Sequence, residues 1–289
     1  MHKLGIDLGG TKIEAVLIDE DGTIIKRKRV PTNREKGYEA IIDSITTLGN
    51  DLLQNAQDIK KIGIGTPGVI DPSTGVMKNS NTLCLIGKPL QTDLENKFKL
   101  PVILENDANC FALAEATLGA GKDFGVVFGV IMGTGVGGGV VLNGKLHRGP
   151  NFTAGEWGHH VLYQNGRDCY CGNQGCTEMY ISGPALTKEW KRLSNHDETV
   201  STIIKNKLYL KYPKWKNYFI SNFGKALAHI IDILDPNAII IGGGLSNIDF
   251  LYTEGVKAVY KSAFGDNINT PILRNKLGDS AGVFGAAFL

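Results

Sequence analysis

The sequence predicts an α/β protein made of two similar halves, and three observations predict it. Apolar strand-like runs alternate with stretches of helical periodicity, which is the pattern of sheets covered by helices. A strand, glycine turn, strand unit occurs near the start and returns in mid-chain. No Pro- or Ser-rich linker separates the two copies, so the halves meet at a short hinge within 115–122.

Leu4–Leu8 reads as the first strand, Gly9-Gly10-Thr11-Lys12 as its turn, and Ile13–Ile18, closed by Asp21-Gly22, as the returning strand. The basic run Lys26, Arg27, Lys28 and Arg29 follows, expected as a solvated strand. Ile41, Ile45, Leu48 and Leu52 alternate spacings of four and three, the stripe of a helix. Strands are expected at Ile62–Ile64 and Val102–Leu104. The echo begins at Val126–Met132, turns through Gly133-Thr134-Gly135-Val136-Gly137-Gly138, and continues through 139–142 to the hairpin dipeptide Asn143-Gly144. Phe219, Phe223, Ala226, Ile230 and Ile233 line one helical face, stopped by Asp235-Pro236, with His229 beside that face as a surface or packed histidine. Ala238–Ile241 is a buried strand, followed by Gly242-Gly243-Gly244 and a helix-like segment. The apolar end, 281–289, is expected to be a helix packing back on the first half.

Composition excludes several classes. With 289 residues, 42% hydrophobic and 21% charged, the chain is long enough for two cores and is not a disordered one. A net charge of +2 gives no field suited to nucleic acid. No stretch is long and apolar enough for a membrane span, and the first strand starts too early to leave room for a leader or a helix-turn-helix. A cytoplasmic location is expected, with Cys84 and Cys110 reduced as core residues.

His159, Cys169, Cys171 and Cys176 carry the ligand types of a closed tetrahedral zinc site. On chemistry alone His160 could serve instead of His159, and the competing reading is a set of reduced, buried thiols. Four protein ligands leave no open position, so such a metal shapes a loop and activates no water.

The glycine runs decide the nucleotide reading. Gly133, Gly135 and Gly138, like Gly63, Gly65 and Gly68, satisfy G-x-G-x-x-G. The first set runs into a strand instead of a helix and the second contains Pro67, so a dinucleotide fingerprint fails. A P-loop also fails, because no Gly-Lys-Ser/Thr closes any run. Two hairpin turns remain, whose bare backbone N–H groups can converge on phosphate oxygens, with Thr11, Lys12 and Thr134 adding donors and charge. Tight turns alone are the plainer reading of either hairpin. Asn106 and Asp107 follow a strand and precede a helix, at the carboxyl edge where α/β proteins bind ligands, although Asp107 suits a helix N-cap equally well.

Asp7 beside one turn, Gly133–Gly138 as the other and Gly242–Gly244 resemble the actin-like, hexokinase-like ATPase fold of duplicated ribonuclease-H-like domains. More narrowly, Asp7–Lys12, Glu105–Asn109, Gly155–His159 and Cys169–Glu178 resemble the signature motifs of the ROK family of sugar kinases and repressors. The resemblance implies an N-terminal lobe over 1–117, a C-terminal lobe with the zinc-binding loop over 118–275, and a closing helix over 276–289. It implies ATP and Mg2+ as cofactors, held by Asp7, Gly9, Gly10, Thr11, Lys12, Gly133, Thr134, Gly135, Gly137, Gly138, Gly243 and Gly244, with a structural Zn2+. Asp107 resembles the catalytic base that takes the proton of a sugar 6-hydroxyl. Asn106, Asp107, Glu156, His159, Glu178 and Gly68 resemble the substrate contacts, with His159 turning one nitrogen to zinc and the other to the sugar. Closure of the lobes over both substrates is expected from this resemblance, and a homodimer is suggested by it. The stretches Ser73–Asn81, Thr153–His159 and Lys276–Gly282 look more similar to bacterial fructokinases. Fructose, with mannose or glucose, is therefore the expected hexose; the alternatives are a glucokinase or an N-acetylglucosamine or N-acetylmannosamine kinase. A sugar-sensing repressor is disfavoured because no DNA-binding segment is legible.

Overall fold

In the computed structural model, which describes all residues from Met1 to Leu289, strand order repeats. The first sheet contains β1 (Lys3–Leu8), β2 (Lys12–Ile18), β3 (Ile24–Pro31), β4 (Ile62–Thr66) and, past the small hairpin of β5 (Val69–Ile70) and β6 (Met77–Lys78), β7 (Val102–Asn106). Its order is β3-β2-β1-β4-β7. The second contains β8 (Val126–Met132), β9 (Val136–Leu142), β10 (Lys145–His147), β11 (Ala238–Gly242) and β12 (Ile272–Arg274) in the order β10-β9-β8-β11-β12. In both, the first three strands form an antiparallel meander and the last two run parallel to the first. The chain divides into two units, one of residues 1–119, 149–152 and 277–289, the other of 120–148 and 153–276.

In the first unit, the period of two along β1 sorts the faces. Leu4, Ile6 and Leu8 join Ile41, Ile45, Leu48 and Leu52 of helix α1 (Tyr38–Leu53) in an aliphatic core, completed by Leu90, Leu94 and Phe98 of α2 (Leu90–Phe98). Gly5 faces the other way and pairs across the sheet with Gly63. There the C-terminal helix, Ala281–Ala287, approaches so closely that a Cβ on Gly63 would stand 1.8 Å from the Ala286 carbonyl oxygen. Helix α3 (Asp107–Thr117) packs on the same C-terminal helix. Cys110 on α3 is fully buried, as expected, but Cys84 is only half-buried. It lies on the flank of a one-turn helix, Leu83–Leu85, whose Leu85 takes the core position.

The basic run is β3, but its side chains are not simply solvated. Lys26 and Lys28 reach Asp51 of α1 on one side, while Arg27 and Arg29 reach the buried carboxylate of Glu14 on the other, Arg29 at 2.9 Å. Ser280, at the entry to the C-terminal helix, accepts from both arginines.

The second unit has an aromatic core. Short helices α4 (Glu178–Ile181), α5 (Gly183–Ser194) and α6 (Val200–Lys205) lead to α7 (Pro213–Leu234), whose Trp215, Phe219 and Phe223 recur every four residues and are fully buried. Trp190 meets Trp215 edge-on at 5.6 Å, and α8 (Glu254–Ser262) packs along α7. Asp235 takes the left-handed conformation and ends α7 where Pro236 forbids continuation. Ile233, expected on the buried stripe, is instead exposed, because toward the end of α7 the buried face shifts to Leu227, Ile231 and Leu234. His229 is half-buried, its ring edge against His160 at 4.9 Å. No helix is long and apolar enough to cross a membrane.

Candidate active site

The junction of β7 and α3 carries the candidate residues of the first unit. Asn106 is the N-cap of α3: its side-chain oxygen accepts from the Asn109 amide at 2.7 Å. Glu105, also buried, accepts from the Asn106 amide and from the Asn109 side chain at 3.0 and 2.9 Å. The capping duty open to Asp107 on local sequence is therefore discharged by Asn106. Asp107 remains accessible at the start of the helix, its Oδ1 accepting from the adjacent Ala108 amide at 2.8 Å. Although it reaches solvent, it is densely surrounded by protein, and the resulting desolvation raises its pKa against the opposing pull of backbone donors.

Asp7 ends β1 on the face that carries the C-terminal helix, between Gly65 and Gly282. It accepts no hydrogen bond. Desolvation first, then the charges of Asp107 and Glu14, push its pKa up to about 6 against the pull of Lys12. A half-buried carboxylate with these neighbours is a fit seat for a divalent cation, which would favour its ionised form. The adjoining turn is closed by Gly9 N–H donating to the Lys12 carbonyl at 3.0 Å. Thr32, not foreseen from sequence, ties it down with a hydroxyl bond to the Gly9 carbonyl at 2.7 Å.

In the second unit, Gly133, Thr134 and Gly135 form the turn between β8 and β9. Gly137 and Gly138 lie inside β9, paired with Ile131 and Val130. They belong to the ladder instead of the turn, because the strand resumes at Val136. Glu178 is buried beside this turn and accepts from the Val136 amide at 2.8 Å. Gly244 lies next to Gly133, so the third glycine run adjoins the second turn. The Gly155–His159 segment docks against β9: a Cβ on Gly155 would meet the Gly138 carbonyl at 2.5 Å, and one on Gly158 the Val136 carbonyl at 2.0 Å. Trp157 Nε1 donates to the Gly137 carbonyl at 3.0 Å. Glu156, exposed, and His159, half-buried, are carried there with it. Gly68 belongs to the first unit, where it packs against Ser80 after the β5–β6 hairpin.

The ligand atoms of His159, Cys169, Cys171 and Cys176 lie within 4.8 Å of one another. Cys171 and Cys176 sulfurs are 3.6 Å apart, as are Cys169 Sγ and His159 Nδ1, close to the roughly 3.7 Å edge of a tetrahedron with zinc–sulfur bonds. Burial, then the neighbouring cysteines, push the Cys176 thiol up to about 12, so three thiolates share this spot only beside a neutralising cation. The donor set thus fits zinc, and His160 is excluded from it by its turn toward His229. His159 Nε2, expected to face a sugar, meets the Tyr170 hydroxyl at 3.2 Å. Tyr170 is 80% exposed and free to yield that place; no periodicity or spacing distinguishes it in the sequence.

Paired five-stranded sheets of one order, each opening on a glycine hairpin, define the actin-like, hexokinase-like ATPase class. Residues 3–289 match the ROK family. The chain is 36% identical to the N-acetyl-D-glucosamine kinase of Haemophilus influenzae over 300 residues, covering 99% of this chain and 98% of that one. A ROK hexokinase from Thermus thermophilus superposes with a TM-score of 0.89 at 31% identity, over 100% of this chain and 97% of the other. A ROK family glucokinase from Streptomyces griseus, solved in complex with glucose and AMPPNP, superposes with a TM-score of 0.78 at 29% identity, over 99% and 98%. The chain belongs to the ROK family.

Proposed function

We propose that the protein is an ATP-dependent sugar kinase that phosphorylates the 6-hydroxyl of an N-acetylhexosamine, with N-acetyl-D-glucosamine as the preferred acceptor. The observation that carries the kinase reading is Asp107: a carboxylate relieved of helix capping, accessible to a substrate, and made more basic by its surroundings. The preference for the acetamido sugar over fructose is supported by the near full-length likeness to N-acetylglucosamine kinases.

In the reaction, Asp107 takes the proton of the 6-hydroxyl as its oxygen forms a bond to the γ-phosphorus. The bond from that phosphorus to the β–γ bridging oxygen breaks, and ADP leaves with the electron pair. Asp7 would hold Mg2+, whose charge offsets that of the phosphates. Gly9, Gly10 and Thr11, with Lys12, and the second turn, Gly133–Gly135, offer amides and charge to the nucleotide. Glu156 and His159 would accept from or donate to sugar hydroxyls, Tyr170 yielding His159 Nε2 as the sugar enters. His159 and the three cysteines would hold zinc, which would order their loop and take no part in the transfer.

The test is ADP release with Mg-ATP and N-acetylglucosamine, N-acetylmannosamine, glucose, mannose and fructose in parallel. The highest kcat/KM is expected with N-acetylglucosamine. A higher value with fructose or glucose overturns the sugar assignment; no ADP release with any of them overturns the kinase.

A further inference from the structure

Arg34 carries no role in the sequence motifs, yet the fold delivers it to the first glycine turn. Thr32, wholly buried, is stitched to both sides of that turn: its hydroxyl donates to the Gly9 carbonyl at 2.7 Å and its N–H to the Thr11 carbonyl at 3.0 Å. Asn33 then adopts a left-handed conformation with φ 55°, which reverses the chain into a single helical turn, Arg34–Lys36. The guanidinium is brought over Gly10: a Cβ there would stand 3.6 Å from Arg34 Nη1.

The charge environment is unusual for this chain. Five of the other six arginines pair with buried or surface carboxylates: Arg27 and Arg29 share Glu14, Arg167 and Arg192 share Glu189, and Arg274 pairs with Asp249. Arg34 is exposed and pairs with no carboxylate, although it is held by a segment fastened through two hydrogen bonds. A guanidinium without a carboxylate partner, carried on a fastened segment beside a turn of bare amides and next to Lys12, is a seat for an anion with several oxygens.

We propose that Arg34 is a catalytic residue of the phosphoryl transfer, its planar fork gripping the oxygens of the transferring γ-phosphoryl group. The assignment rests on the kinase reading above. Transfer spreads negative charge over the three equatorial oxygens of that group, and a fork of parallel N–H donors matches two of them at once, which a lysine ammonium does not. Lys12, a point charge at the start of β2, complements it on the same turn.

Arg34→Ala, Arg34→Gln and Arg34→Lys, assayed at saturating Mg-ATP and sugar, test it. kcat is expected to fall about 10²–10³-fold in all three with the sugar KM nearly unchanged, the size of loss seen when one preorganised donor is removed. Added guanidinium chloride at millimolar concentration should restore part of the Arg34→Ala activity and none to wild type. Melting curves should coincide, since the side chain is exposed. Turnover by Arg34→Ala within about threefold of wild type, or full rescue by lysine, overturns the proposal. If wild type itself turns over no sugar, the kinase reading fails separately. Calorimetry with inorganic tripolyphosphate still reads the grip: about tenfold weaker binding by Arg34→Ala supports it, and equal binding overturns it.

Discussion

The two glycine turns occupy equivalent places in sheets of the same order, yet their surroundings differ in charge. The first is surrounded by ionised groups: Asp7 before it, Lys12 after it, Arg34 over it, and Glu14 opposite Asp7 in the register. The second has no lysine or arginine between Val126 and Leu142. Its one close charge, Glu178, is bonded to the Val136 amide. The cores differ in parallel, aliphatic around the first sheet and aromatic around the second. A duplicated scaffold thus keeps its backbone geometry while its side chains divide the labour. One copy gathers charged side chains around its turn, and the other leaves its turn lined by neutral amides.

The largest break in this comparison is expected on the charged side. Asp107→Asn should lower kcat about 10³-fold while sugar binding measured by calorimetry is retained, because the amide cannot take the proton; near-normal turnover would remove Asp107 as the base. On the neutral side, Gly138→Ala places a Cβ 2.6 Å from Trp157 and 2.8 Å from Phe128. Displacing Trp157 should disturb β9, which it braces next to the turn, and raise the KM for ATP about tenfold, at an overpacking cost of about 1–3 kcal/mol. An unchanged KM with an unchanged melting temperature would show that Trp157 does not brace it.

Removing zinc with a chelator, or replacing Cys176 by Ser, probes the same unit less directly. The sugar KM is expected to rise about tenfold, and the melting temperature to fall by about 5 °C or more, as an ordered loop loses its ligand-derived stability. A verified metal-free sample with wild-type melting and kinetics would refute the structural role. The smallest effect concerns Asp7. Its carboxyl has a folded pKa raised from 3.8 to about 6, so between these values the folded chain holds a proton that the unfolded chain has released. In the metal-free protein, stability contributed by this group is therefore present at low pH and lost as pH rises through about 6. Asp7→Asn should raise the melting temperature by about 3 °C at pH 7.5 and scarcely at pH 4, even as it impairs use of Mg-ATP. Equal shifts at both pH values would mean that ionisation of Asp7 carries no cost.

Much of the fold was legible because its signals are local. The alternation in Leu4–Leu8, the stripe through Ile41 and Leu52, and the stop at Asp235-Pro236 are periodicities and dihedral restrictions that neighbours in sequence enforce. The four candidate metal ligands were legible for the same reason, being crowded into one segment. Gly137 and Gly138 were read as turn residues because glycine permits a turn as readily as a strand; pairing with Ile131 and Val130 settles which. The preferred hexose was not legible, since shape around a shared set of hydroxyl contacts decides it.

By itself, the sequence determined that strands and helices alternate in two copies, that glycines leave backbone amides bare at both hairpins, and that thiols and an imidazole lie close enough to share a metal. Only the tertiary structure decided that His159 and not His160 turns to the cysteines, that Asn106 frees Asp107 from capping, and that Arg34 stands over Gly10. Each of these depends on the direction in which a side chain leaves its backbone. That direction is fixed by contacts with distant segments, such as the Thr32 bond to Gly9, which no local pattern encodes.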